Sequence, residues 1–338
     1  MINYIYQLIT PHIISVKYQD IDISKDVIIR PKYMSICHAD QRYYQGTRDL
    51  KTLNQKLPMA LIHECCGQVI KDNTNTFNTG DYVSLIPNHP TRTLENIYEN
   101  YDEMSKFSSS NEDGFMREFI NLPPSRVVKI NNNIPVEISS IIELISVAVH
   151  SVKRLDMFSH STKKCFAIWG DGSVAYLVAC ILKEKYPNSK IIVVGKTLNK
   201  ISQFSFVDET YITNNLPNNF SFDHAFECVG GEYSGYAIDE IINNIKPQGT
   251  ISLLGVSEHK VAINTRLVLE KGITLLGCSR SGRADFIDAI NFMSNQTVID
   301  RLSGIIYETS NVNSIPDIHN AFSVDLTTPF KTIFKWNI

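Results

Sequence analysis

Cys37 in SICHAD, the adjacent His63 and Glu64 in LIHECC, and Glu143 in IIELIS offer a thiolate, an imidazole and two carboxylates, all good zinc ligands. A catalytic zinc held by such groups keeps one position for water or substrate and polarises a carbonyl oxygen placed there. Spacing alone does not single these residues out, because an isolated Cys is more often a small buried apolar residue than a ligand.

A second chemistry lies further along. Gly170, Gly172 and Ala175 in WGDGSVAYLVA form G-x-G-x-x-A directly after an apolar strand and directly before a helix. The first Gly permits the tight turn and the second lets backbone approach a pyrophosphate, with Ser173 and Val174 opening the helix whose N-terminus favours phosphate. The next strand, KIIVVG, ends in Gly195, Lys196 and Thr197, where an NAD-specific fold places an Asp or Glu on the ribose 2′-hydroxyl. That acid is missing. A carboxylate would repel a 2′-phosphate, whereas Lys196 and Lys200 could hold one, so NADP(H) is the expected cofactor.

These groups must be positioned by two kinds of element. Up to about residue 145, short apolar runs such as DVIIRP, GQVI and DYVSLIP alternate with Gly, Pro and Asn, which reads as β-rich. From about residue 165, CFAIW, VAYLVACILKEKY, KIIVVG, TISLL and ITLLG alternate strand and helix signals, which implies a doubly wound parallel sheet. RADFIDAINFMS reads as an amphipathic helix and FKTIFKW as a last strand. The polar, Asn- and Ser-rich stretch 88–112 reads as a surface excursion.

With 338 residues, two domains are expected, and a formal charge of −3 gives no basic field for nucleic acid or an anionic membrane. The first residues show no secretory pattern, no apolar run is long enough to span a bilayer, and the odd count of seven cysteines fits reduced thiols. A cytoplasmic protein is expected.

Taken together, C-x-x-D from Cys37 to Asp40, H-E-x-x-G-x-V from His63 to Val69, Glu143, TGDYV, the glycine turn, FDHAFECVGG and GTISLLGVS resemble, in order, the medium-chain zinc-dependent alcohol and polyol dehydrogenases. That resemblance implies an α/β fold in which a GroES-like, β-rich catalytic domain (1–146, resumed at 277–338) receives an inserted Rossmann domain (147–276). It implies zinc on Cys37, His63 and Glu143, with Glu64 a ligand or exchangeable ligand and Asp40 orienting His63 through its other ring nitrogen. Val256 in GTISLLGVS joins the cofactor-binding set. Glu143 followed by LISV resembles the sorbitol-dehydrogenase branch, where Glu stands in place of Cys.

There are two departures from the family pattern. The stretch 88–112 holds none of the family's four structural cysteines, so one zinc per chain is expected. Ala39 stands where the family's proton relay starts with Ser or Thr, so Glu64 with bound water, or else Tyr43 or Tyr44, must move the proton.

The phrases YMSICHADQRYY, QKLPMALIHE and NTRLVLEKGITLLGCSRSG resemble the bacterial branch that reduces D-ribulose 5-phosphate to D-ribitol 5-phosphate with NADPH. The resemblance implies a sugar-phosphate substrate, a homodimer, and a functional link to a ribitol-5-phosphate cytidylyltransferase that makes CDP-ribitol for teichoic acid or capsule. Ser279, Arg280 and Arg283 in SRSGRADF, with Arg42, are the candidates for holding the substrate phosphate. Other expectations from the same pattern are a different polyol dehydrogenase, a zinc-free quinone or enone reductase, and a non-catalytic nucleotide-binding protein. Retention of Cys37 and His63 argues against the last two.

Overall fold

The computed structural model describes residues 1–338. Two compact units divide the chain, one formed by 1–146 with 281–338 and the other by 147–280. The return to the first unit therefore falls after Arg280 and not at 277. Beyond the strand Thr274–Gly277, Cys278 N–H still bonds the Leu253 carbonyl of the neighbouring strand. Where the chain leaves and re-enters the first unit, the Ser146 and Ser281 hydroxyls meet at 2.6 Å.

The first unit is built on a seven-stranded sheet. Its spatial order runs Val127–Lys129, Tyr82–Leu85, Glu64–Asp72, Val27–Ser35, Lys331–Lys335 and Ile306–Glu308, with Ile120–Leu122 also pairing Val27–Ser35. Register positions the chemistry: Ser35 lies opposite both Glu64 and Ile333. Three strands distant in sequence thus lie side by side just before Cys37. The first residues of Glu64–Asp72 are buried without alternation, so they read as a continuous apolar run rather than a two-residue period. Ile5, Leu8, Met34, Phe115, Phe322 and Phe334 lie in one core behind them.

The second unit is a six-stranded parallel sheet, Glu209–Ile212, Lys190–Gly195, Cys165–Trp169, Phe222–Glu227, Ile245–Leu253 and Thr274–Gly277 in spatial order. Numbered by their sequence, that order is 3-2-1-4-5-6, the Rossmann arrangement with its switch point beside the first strand. Cys165–Trp169 is buried throughout, and the helix Ser173–Lys185 buries every residue from Ala175 to Leu182. A sheet covered on both faces requires such unbroken apolar segments. No helix is long and apolar enough to cross a membrane.

Candidate metal centre and cofactor site

Cys37 is the N-cap of the helix His38–Tyr44, which buries Asp40, Gln41, Tyr43 and Tyr44. Glu64 opens the strand Glu64–Asp72, preceded by His63 and by Ile62, a β-branched residue held at φ 71°. Such a conformation is costly for isoleucine and persists only where surroundings enforce it. Here the Ile62 N–H donates to Asp40 Oδ1 at 3.0 Å, and the Ile62 carbonyl accepts from Phe115 N–H at 2.7 Å. Gly114 makes that approach possible, because a Cβ there would stand 2.3 Å from the Leu61 carbonyl oxygen. The kink turns both ligand candidates toward Cys37.

Donor atoms of Cys37, Asp40 and His63 lie within 4.8 Å of one another, as do those of His63, Glu64 and Glu143. His63 is common to both groups. Its Nδ1 lies 3.2 Å from Asp40 Oδ2, an ion-pair distance off hydrogen-bond alignment. Burial pulls the His63 imidazole down, but Asp40 and Cys37 outweigh it and hold it well above its ordinary value. Burial pushes Asp40 up, yet His63, Ser109 and the Ile62 amide hold its carboxyl below the usual range. Burial, with Glu64 adding and His63 opposing, pushes Glu143 up to about 7.

Two buried carboxylates side by side repel unless a cation or a proton intervenes. His63 Nδ1 and Asp40 Oδ2 face each other, whereas Glu64 Oε2 is buried without a hydrogen-bond partner. An orphaned carboxylate oxygen beside a thiol, an imidazole and a second carboxylate fits a divalent cation of zinc type.

Sequence reasoning missed three supports of this cluster. Lys331, buried at the start of the closing strand, donates to Glu64 Oε1 at 2.7 Å and to the Ile36 carbonyl at 2.8 Å. Burial pulls its ammonium down, but Glu64 and Cys37 together hold it above its ordinary value. Ser109 donates to Asp40 Oδ1 at 2.5 Å. The stretch 88–112 is therefore not a mere surface excursion. Glu99 is bound by Arg126 at 3.0 and 2.9 Å, and Asp102 accepts from Thr91, Arg92 and Met104. The third support is the Ile62 kink. Nothing in the sequence KTIFK separates Lys331, its first residue, from Lys335 at the other end.

In the second unit, Gly170 adopts φ 128°, and a Cβ there would press on Cys228. Gly172 caps the helix Ser173–Lys185, with open space where a Cβ would stand. Ser173 and Val174 follow in its first turn. Asp171 accepts the backbone N–H groups of Lys196 at 2.9 Å and Thr197 at 2.7 Å, fixing the end of the second strand against the glycine turn. The Lys196 ammonium lies 4.8 Å from the centre of the exposed Tyr233 ring, and Lys200 is half-buried in the short helix Leu198–Ile201. Val256 is exposed, and its carbonyl accepts from Gly231 N–H. Glu227, fully buried, accepts from Val229, Gly230 and Gly255, so one carboxylate ties two loops at the strand ends.

The phosphate candidates are divided between the two units. Ser279 is exposed, and Arg280 holds φ 58° at the end of the second unit. Arg283 corrects the sequence reading: its guanidinium donates to the carbonyls of Pro124, Ser125 and Val127, and its N–H donates to Glu99. It braces the first unit. Arg42 lies on the helix that follows Cys37. Tyr44 is likewise committed, bonding His319 at 2.6 Å and stacking on Phe322.

Residues 23–132 match the alcohol dehydrogenase GroES-like domain and 207–295 the zinc-binding dehydrogenase domain. The chain belongs to the zinc-dependent alcohol dehydrogenase family, in the branch of the ribulose-5-phosphate reductases. It is 50% identical to the Ribulose-5-phosphate reductase of Streptococcus pneumoniae over 100% of this chain and 98% of that protein. Identity to Ribulose-5-phosphate reductase 1 of Staphylococcus aureus is 48% over 99% of each. The crystal structure of S. aureus TarJ in complex with NADPH matches with TM-score 0.90 and 44% identity over the whole of both chains.

Proposed function

We propose that this chain reduces D-ribulose 5-phosphate to D-ribitol 5-phosphate with NADPH, using one zinc ion in the first unit. The observation that carries the reading is full-length identity of 44–50% to proteins named for that reduction, joined to a buried donor cluster that needs a cation. Bound there, zinc would act as a Lewis acid toward the ketose carbonyl, and NADPH would be the hydride donor.

The chain's own residues do the rest. Cys37, His63 and Glu143 would hold the ion, with Glu64 in reserve as a fourth or exchangeable ligand. Asp40, fixed by Ser109 and the Ile62 amide, orients His63 through Nδ1. Ala39 offers no hydroxyl. Glu64 Oε2, the oxygen not engaged by Lys331, is the atom placed to relay a proton.

Gly170, Gly172 and Ser173 would cradle the pyrophosphate, with Lys196 beside the 2′-phosphate. An acid at the ribose position would disfavour NADPH, and Asp171, the nearest one, is occupied by two backbone amides. A sugar-phosphate substrate, a homodimer and a functional link to a ribitol-5-phosphate cytidylyltransferase belong to the same reading. Seven free cysteines agree with a cytoplasmic setting. The test is NADPH oxidation followed with D-ribulose 5-phosphate, D-ribulose and D-fructose. Turnover should favour the first strongly, and faster turnover with fructose would reassign the enzyme as a sorbitol-type dehydrogenase.

A further inference from the structure

An exposed lysine ammonium on its flexible four-carbon stem has no fixed position of its own, and Lys196 is such a residue. We propose that Tyr233 positions Lys196 for the 2′-phosphate, so that selection of NADPH over NADH depends on an aromatic ring beyond the opposite edge of the first strand. This rests on the reading of Lys196 as the 2′-phosphate partner and names what fixes it there.

The first observation is topological. In the second unit Lys190–Gly195 and Phe222–Glu227 are the two parallel neighbours of Cys165–Trp169. Lys196 follows one and the turn carrying Tyr233 follows the other, so both stand at the carboxyl ends on either side of the glycine turn. Twice the spacing of neighbouring strands is roughly 10 Å, a gap that long side chains can close. Lys196 Nζ lies 4.8 Å from the centre of the Tyr233 ring. The contact therefore crosses the end of the first strand, where a sheet of this order binds its dinucleotide.

The second observation is that both backbones are fixed while both side chains reach outward. Asp171 accepts the Lys196 and Thr197 N–H groups, and the Gly195 carbonyl accepts from Thr213. On the other side Gly230 and Gly231 take φ 65° and 61°, and a Cβ on Gly230 would stand 3.0 Å from Val256 N and O. Glu227 accepts from Val229 and Gly230, and Gly231 N–H donates to the Val256 carbonyl. This turn delivers Tyr233 to the N-cap of the helix Ser234–Asn244 with its side chain 59% exposed. A ring so exposed adds little to the core, so packing alone does not account for it.

The third observation is the kind of partner. A carboxylate would also hold Lys196, but it would cancel the charge that a phosphate needs. A ring face holds an ammonium through its quadrupole and leaves the positive charge in place. The two acids of these turns, Asp171 and Glu227, are both engaged by backbone amides.

The experiment is calorimetric titration of the full-length zinc-bound chain with adenosine 2′,5′-bisphosphate and with 5′-AMP, which differ only in the 2′-phosphate. Wild type should prefer the bisphosphate, and Lys196→Ala should remove most of that preference. Tyr233→Leu should lower it about three- to fivefold, as expected for one exposed cation–π contact, by weakening the bisphosphate alone. Tyr233→Phe, which keeps the ring, should restore it, and Tyr233→Leu added to Lys196→Ala should lower it no further. Tyr233→Gln serves where the leucine variant does not fold. A preference unchanged without the ring, while Lys196→Ala lowers it, overturns the positioning role and leaves Lys196 in the site. Equal losses for both ligands in Tyr233→Leu also overturn it, because the ring then serves the adenosine they share. A preference unchanged in Lys196→Ala overturns the reading of Lys196 and this inference with it.

Discussion

The two units solve the problem of holding a ligand by opposite means. The first gathers charged side chains in a buried place and balances them against each other: Asp40 with His63, Lys331 with Glu64, and Glu143 beside both. The second relies on backbone, with glycines that leave room at Gly170 and Gly172, and with Asp171 and Glu227 spent on amide groups. Side-chain clusters are thus exposed to single charge deletions, whereas backbone cradles are exposed to added atoms.

Lys331→Ala should produce the largest effect. Removing one partner of a buried ion pair costs about 3–5 kcal/mol, because Glu64 is left charged and buried. Zinc-free protein should melt far lower, and zinc should bind more weakly, while NADPH affinity stays near wild type. Unaltered melting would contradict the role given to the pair.

Gly170→Ala should do the converse. A methyl at φ 128°, 3.0 Å from the Cys228 carbonyl oxygen, displaces the turn and should weaken NADPH binding by more than about tenfold, the effect of 1.4 kcal/mol. Zinc content should not change. Loss of zinc together with NADPH in this variant would erase the contrast between the units.

Cofactor choice sharpens the comparison further. Placing an Asp at Gly195 would test the missing ribose acid, but a Cβ there would stand 2.7 Å from Asp171 Cβ. That variant should destabilise the second unit before it changes preference. Lys196→Ala is the cleaner change and should cut the NADPH preference over NADH roughly tenfold, the value of one charge-assisted contact. An unchanged ratio in a titration with both cofactors would remove Lys196 from the site.

The smallest effect concerns pH. His224 is buried, its Nδ1 accepts Thr250 N–H, its Nε2 donates to the Thr162 carbonyl, and burial together with His160 lowers its imidazole to about 4. Below the ordinary imidazole value of 6.5, the unfolded chain takes up a proton that the folded chain refuses until about 4. Stability should therefore fall as pH drops through that window. Melting of His224→Gln should depend on pH less steeply than wild type, and equal slopes would sink the assignment.

What could be read from the sequence follows the same division. The glycine turn and its strand are contiguous, so Gly170 to Val174 declared themselves locally. The candidate metal ligands became legible only through family resemblance, since nothing in the spacing of Cys37, His63 and Glu143 requires them to meet. Their supports were illegible because they come from afar: Ser109 lies 69 residues from Asp40, and Lys331 lies 267 from Glu64. Polar composition made 88–112 read as surface, yet Ser109 turns inward to Asp40 and Glu99 to Arg126. Arg283 misled for the complementary reason, since a guanidinium suited to phosphate is equally suited to three backbone carbonyls.

The central claim is a single catalytic zinc among Cys37, His63, Glu64 and Glu143, and metal titration of the wild-type enzyme tests it most directly. Purified protein should contain one zinc per chain, lose D-ribulose 5-phosphate reduction in step with chelation, and regain it on returning one equivalent, while a Cys37→Ser variant neither retains zinc nor recovers. Full activity in zinc-free protein, or two zinc ions per chain, would contradict it.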